Sequence, residues 1–247
     1  MCQLLLWAGG ATLVNRCANP TWEAGKVLIT GFPSGMLACN CYVLAPRAGA
    51  DAIVVDPGQR VMGPLRKILD DNRLTPAAVL LTHGPIDHMW SAQKVADAYG
   101  CPVYIHPEDR FMLTDPITGF RPRLAQMAFG AMFREPRQVI ELDRDGDKIE
   151  LSGITVAVDH TPGHTAGSVV FRVADGPEEV AFTGDTLFRQ SVGRTDLPGG
   201  SGRDLLQSIV TKLLVLDDDT LVLPGHGERT TIGTERRTNP FLEGLIL

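Results

Sequence analysis

Four short apolar runs in this 247-residue chain each lead into a glycine-containing turn that carries His or Asp, and no other feature limits the possible folds as much. The run Ala77-Ala78-Val79-Leu80-Leu81 leads into Thr82-His83-Gly84-Pro85-Ile86-Asp87-His88. Residues 154–158 lead into Asp159-His160-Thr161-Pro162-Gly163-His164-Thr165, residues 180–183 into Gly184-Asp185-Thr186, and residues 221–223 into Pro224-Gly225-His226-Gly227. Apolar runs of this length, stopped by turn residues, read as strands. Glycine at the stop lets the backbone turn sharply, so the neighbouring side chain is presented at the sheet's edge. Imidazoles and carboxylates collected there make a donor set that zinc, iron and manganese accept. One such turn could be a polar loop and nothing more. Four of them point to a shared metal centre built from His83, Asp87, His88, His164, Asp185 and His226.

Between these turns strands and helices alternate. Residues 27–30 and 41–45 read as neighbouring strands joined through Gly31-Phe32-Pro33-Ser34-Gly35, and the run 52–55 ends in the turn Asp56-Pro57-Gly58. Met62, Leu65, Ile68 and Leu69 recur at helical spacing, residues 89–99 read as a helix closed by Gly100, and Leu205, Leu206, Ile209, Val210, Leu213 and Leu214 mark an amphipathic helix. Leu124, Met127, Ala128, Ala131 and Met132 share one helical face that reads as core or interface, with a lid over a pocket as the functional alternative. Two successive sets of strands with interspersed helices predict an α/β fold in which two sheets pack face to face with helices outside. Residues 1–25 show no clear period and read as a peripheral extension, which leaves one domain over residues 26–247.

A net charge of −6 argues against a broad surface for nucleic acid or anionic membrane. The cysteines, Cys2, Cys17, Cys39, Cys41 and Cys101, are odd in number and lack C-x-x-C spacing, so buried thiols are expected in place of a disulfide framework or zinc ribbon. The N-terminal apolar stretch is broken by Gly9-Gly10 and has no basic start, which fits neither a secretion signal nor a membrane span. A cytoplasmic protein acting on a small molecule is the expectation. Oligomeric state is not legible.

The order H-x-x-x-D-H, T-P-G-H-T, G-D-T-L-F, P-G-H-G resembles the metallo-β-lactamase superfamily from residue 26 to the C-terminus. Asn40-Cys41-Tyr42-Val43-Leu44, Asp56-Pro57-Gly58, Gly193-Arg194-Thr195-Asp196 and Glu235-Arg236-Arg237-Thr238-Asn239-Pro240-Phe241 are similar to signatures of its short-form type II glyoxalases, the hydroxyacylglutathione hydrolases. That resemblance implies an αββα sandwich, a binuclear centre usually filled by zinc, and hydrolysis of a thioester such as an acyl-glutathione by metal-bound hydroxide. It implies one metal on His83, His164 and a bridging Asp185, and another on Asp87, His88, Asp185 and His226. Asp87 would also orient the attacking water, Asp56 would hold ligands by hydrogen bonds, and Arg194 would contact a substrate carboxylate.

The chain departs from the family's T-H-x-H-x-D-H pattern at Pro85, which stands where the second histidine belongs and offers no ligand atom. The expectation is therefore one well-held zinc, a second position weak or empty, and attenuated activity. Two alternatives follow. His83, His164 and Asp185 match the single-iron site of persulfide dioxygenases, which makes Fe2+ the alternative metal. A non-catalytic remnant of the fold is the other.

Overall fold

The computed structural model of the protein describes residues 21–24, 27–116, 133–175 and 178–244. Its first sheet has seven strands in the order β1 (Thr21–Ala24), β2 (Val27–Ser34), β3 (Cys39–Ala45), β4 (Asp51–Val55), β5 (Thr75–Leu80), β6 (Val103–Ile105) and β7 (Val139–Glu141). Pairing is antiparallel from β1 to β4 and parallel from β4 to β7. The second sheet contains β8 (Asp147–Leu151), β9 (Ile154–His160), β10 (Val169–Asp175), β11 (Glu178–Gly184), β14 (Leu221–Pro224) and β15 (Thr230–Thr231), ordered β15-β14-β11-β10-β9-β8. Only β11 and β14 run parallel in it. A hairpin of β12 (Leu187–Phe188) and β13 (Ser191–Val192) stands apart.

The central strands read as unbroken apolar runs because both of their faces are covered. Ile29, Tyr42, Leu44, Ile53, Val55 and Leu80 point toward the second sheet and meet Val156, Val158, Phe171, Phe182 and Leu223. Their strand neighbours Val43, Val54 and Val79 point the other way, onto Leu65, Ile68 and Val95 of the helices Met62–Asn72 and Ala92–Tyr99. Val170, Ala181 and Val222 do the same for the second sheet, against Leu205, Ile209 and Leu213. Successive side chains of a strand alternate faces, so a sheet between two apolar layers needs apolar residues at every position. The result is an αββα sandwich. Among the described residues no helix is long and apolar enough to cross a membrane.

Several elements differ from the reading of the sequence. Gly31 to Ser34 belong to β2, and the hairpin turn falls on Gly35–Ala38. The expected helix over 89–99 is two pieces, Ile86–Met89 and Ala92–Tyr99, because the Ser91 N–H turns away to donate to the Pro57 carbonyl at 2.8 Å. The helix Gly202–Ser208 passes into a π turn over Ile209–Leu213, where the Leu214 N–H reaches back to the Ile209 carbonyl at 2.8 Å. Strands β7 and β8 and the helix Ile232–Thr238 carried too weak an apolar period to be seen in advance. β1 pairs with β2, so the first sheet takes in residues upstream of position 26. The Met-rich segment 124–132 lies outside the described residues.

Phe182 is 1% exposed between the sheets and makes an edge-to-face contact with Tyr42 at 5.3 Å. Phe182→Ala removes that filling at the sandwich's centre. It should cost about 3–5 kcal/mol, read as a lower midpoint in urea unfolding with an unchanged slope.

Candidate metal centre

All the singled-out strand ends come to one rim. β5 delivers His83, and the short helix that follows turns Asp87 and His88 back beside it. The segment after β9 brings His164, the end of β11 brings Asp185, and the end of β14 brings His226. Active sites gather at the carboxyl ends of parallel strands because the chain leaves the sheet there and its loops are free to converge.

The donor atoms face one another across short gaps. His88 Nε2 lies 3.2 Å from His226 Nε2, and His226 Nε2 lies 3.2 Å from Asp87 Oδ2. Asp185 stands in the middle: Oδ1 is 3.4 Å from His88 Nε2, and Oδ2 is 3.6, 3.7 and 3.9 Å from the Nε2 atoms of His226, His164 and His83. Donors bound to one ion at about 2.0–2.2 Å in a tetrahedron stand about 3.3–3.6 Å apart, so these gaps suit shared ions. His83, His164 and Asp185 form one cluster, and Asp87, His88 and His226 form another.

Each imidazole is held from behind, which fixes which nitrogen is free. His88 Nδ1 donates to Asp56 Oδ2 at 3.0 Å. The Thr82 hydroxyl donates to Asp56 Oδ2 at 2.6 Å, so its oxygen accepts from His83 Nδ1 at 2.8 Å. His164 Nδ1 donates to the Arg194 carbonyl at 2.8 Å, and His226 Nδ1 to the Leu37 carbonyl at 3.0 Å. Every anchor engages the ring at Nδ1 and aims Nε2 inward, the nitrogen a metal would take. Two inward atoms, His83 Nε2 and Asp185 Oδ1, are buried with no hydrogen-bond partner. Buried polar atoms rarely go unsatisfied, and a cation in the cluster that each atom borders would satisfy it. The residues present therefore fit a divalent metal.

Electrostatics separate the rings: burial opposes a proton on His88 and His226, but Cys39, Asp185 and Asp56 around the first and Asp87 and Asp185 around the second hold both above the usual histidine range, so a metal binding there displaces protons. Burial pushes His83 well below the usual histidine range, and the neighbouring imidazoles of His88 and His164 push the same way, so the ring is neutral and able to ligate. Burial works against the charge of Asp87, but the hydrogen bond from His226 and the fields of His88 and His226 outweigh it and hold the carboxyl down at about 2.

Asp56 lies behind the histidines and not among the inward atoms. It is buried, adopts a left-handed φ of 47°, and also accepts from the Thr82 N–H at 2.8 Å. A strained backbone that persists is one the surroundings hold in place. Arg194 is exposed, and its guanidinium is engaged twice by Asp196, at 2.7 and 2.6 Å. What it extends toward the centre is its carbonyl. Pro85 precedes the helix Ile86–Met89, accepts there from the His88 N–H at 3.0 Å, and leaves His83 and His88 in place. Cys39, Cys41 and Cys101 are free and buried, as the cysteine pattern suggests.

Sequence reasoning singled out Asp56 but missed the other anchors, Thr82 and the carbonyls of Arg194 and Leu37. Leu37 lies 189 positions from His226, and no local pattern signals a carbonyl as a partner. The glycine at 225 is required by packing: a Cβ there would lie 2.3 Å from Asp185 Oδ1 and 2.6 Å from His88 Cε1. Gly225→Ala should lower metal affinity by at least about tenfold in a chelator competition, since it displaces two ligand side chains at once.

A sequence profile described as the Metallo-beta-lactamase superfamily matches residues 34–226. An uncharacterized protein of Mycobacterium leprae is 75% identical over 219 residues, 89% of this chain and all of that one. A hydroxyacylglutathione hydrolase, GloC, of Haemophilus influenzae is 36% identical over 197 residues, 78% of this chain and 87% of that protein. Among solved structures, the B3 metallo-beta-lactamase BLEG-1 superposes with a TM-score of 0.76 at 37% identity, covering 87% of this chain and 100% of that one. The protein TTHA1623, crystallised in a di-iron-bound form, superposes with a TM-score of 0.70 at 37% identity, covering 86% and 99%. With the sandwich, the converging strand ends and the profile in agreement, the chain belongs to the metallo-beta-lactamase superfamily of metallo-hydrolases.

Proposed function

We propose that this protein hydrolyses a thioester of a small thiol, an acyl-glutathione or a related conjugate, with zinc as its metal. The observation that carries the reading is the inward set of four Nε2 atoms around Asp185 with Asp87 beside them. The likeness to GloC supports the substrate class. A divalent metal bound there supplies Lewis acidity and a water acidified toward neutral pH. The chain's own residues do the rest. Asp87, held ionised, has Oδ2 toward the interior and is placed to accept a hydrogen bond from a water and set its direction. Asp185 spans both clusters and compensates charge in each. Met36 and Leu37, strongly exposed on the β2–β3 turn that anchors His226, give the mouth an apolar edge for the substrate's body.

Pro85 divides the centre unequally. The half built on Asp87, His88, His226 and Asp185 has four donors; the half built on His83, His164 and Asp185 has three. Donor number sets affinity, so the first of these halves fills before the second. The TTHA1623 relative makes iron the second choice of metal.

The test compares the native protein with Pro85→His and His226→Ala, each assayed for metal content and for hydrolysis of a hydroxyacyl-glutathione. The native protein should hold close to one equivalent of zinc and turn over slowly. Restoring histidine should add a second equivalent and raise the rate at least about tenfold, and His226→Ala should abolish activity. Full metal loading with no thioester hydrolysis in either of the first two would overturn the assignment. One equivalent of iron with oxygen uptake on glutathione persulfide would move it to the oxidative reading.

A further inference from the structure

Asp109 is fully buried and belongs to neither cluster of candidate ligands. It lies on the short helix Pro107–Arg110 after β6, at the same sheet edge as the candidate ligands. Its Oδ2 accepts from the Gly84 N–H at 2.8 Å and from the Thr165 hydroxyl at 2.7 Å; its Oδ1 accepts from the Gly167 N–H at 2.9 Å. Gly84 directly follows His83, and Thr165 directly follows His164. One carboxylate from a third segment thus ties together the two loops that carry the imidazoles of the three-donor half.

The approach is close on both sides. A Cβ at Gly167 would lie 2.7 Å from Asp109 Cγ, and one at Gly84 would lie 2.9 Å from the Asp109 carbonyl oxygen. Thr165 is braced in turn: its N–H donates to Ser168 Oγ at 3.2 Å, and the two hydroxyl oxygens stand 2.8 Å apart. With the Thr165 proton given to Asp109, the Ser168 proton points to Thr165. A buried carboxylate is tolerated only while its donors stay in place, so movement of either loop exposes it to the full cost of losing them. The link is therefore stiff.

We propose that Asp109, acting through Thr165 and Gly84, is a positioning residue that sets the spacing of His83 Nε2 and His164 Nε2 and so the metal affinity of that half. Position 85 offers no third imidazole to hold an ion there, which leaves the half dependent on this spacing. The proposal rests on the reading that His83, His164 and Asp185 hold a metal, and it needs no particular substrate.

The experiment titrates the metal-free full chain with zinc against a chromophoric chelator, resolving stepwise affinities for native, Asp109→Asn, Thr165→Val and Thr165→Ser proteins. Asp109→Asn and Thr165→Val should weaken the weaker step about 10–100-fold and leave the stronger step unchanged, with Thr165→Ser restoring it. Long-range 1H–15N spectra of the imidazoles in metal-free protein give a second reading that does not depend on filling. His83 and His164 should lose their fixed Nδ1–H tautomers in Asp109→Asn, while His88 and His226 keep theirs. Unchanged spectra for His83 and His164, or two affinities that fall together, would overturn the proposal. Absence of thioester hydrolysis in the native protein would sink the proposed function and leave this result standing.

Discussion

The centre depends on keeping four imidazoles and two carboxylates face to face in a largely buried space with their ligating atoms turned toward one another. Such an array opposes folding by itself: burial strips its atoms of water, and two inward atoms have no hydrogen-bond partner. The protein meets that cost from outside the array. Each ring is pinned by a bond at Nδ1, to Asp56, the Thr82 hydroxyl, the Arg194 carbonyl or the Leu37 carbonyl. Pinning the far nitrogen fixes ring rotation, so the near nitrogen is aimed inward.

The sandwich is what makes the pinning possible. Three apolar layers hold two sheets rigidly relative to one another, so loops from either sheet can share a rim. Joints across the interface complete the alignment. The Val169 N–H donates to the Thr82 carbonyl at 2.8 Å, and the Tyr42 hydroxyl donates to the Pro224 carbonyl at 2.7 Å. These bonds join the segment carrying His83 to the strand after His164, and the first sheet to the strand that ends at His226. Glycine is needed where backbone must come nearer than a side chain allows, and Gly225 against Asp185 and His88 is the clearest instance.

Pro85 shows how a centre can lose a donor without losing its shape. Its ring suits the start of the short helix Ile86–Met89, where a missing N–H costs nothing, so Asp87 and His88 keep their places. The vacancy is chemical and not architectural. Bonds outside the cavity, those of Asp109 to Gly84 and Thr165 among them, brace the segments that carry His83 and His164.

The strands, their burial on both faces, the six inward side chains and the departure at Pro85 could all be read along the chain, because each is a local pattern: a run length, a glycine stop, a residue type at a fixed offset. The elements that escaped were those with weak or divided patterns, such as β8, mostly exposed at a sheet edge, and the broken helix near Ser91, whose N–H is claimed by the distant Pro57. Asp56 could be singled out but not given its bond partners, and Arg194 could be named without showing that its carbonyl accepts from His164 while its guanidinium pairs with Asp196. Asp109 carries no local signal at all. By itself the sequence determined which atoms could bind a metal and that they would sit at strand ends. Only the tertiary structure decided which nitrogen of each ring points inward and what holds it there, because those partners lie up to 189 residues away and meet only when the two sheets pack.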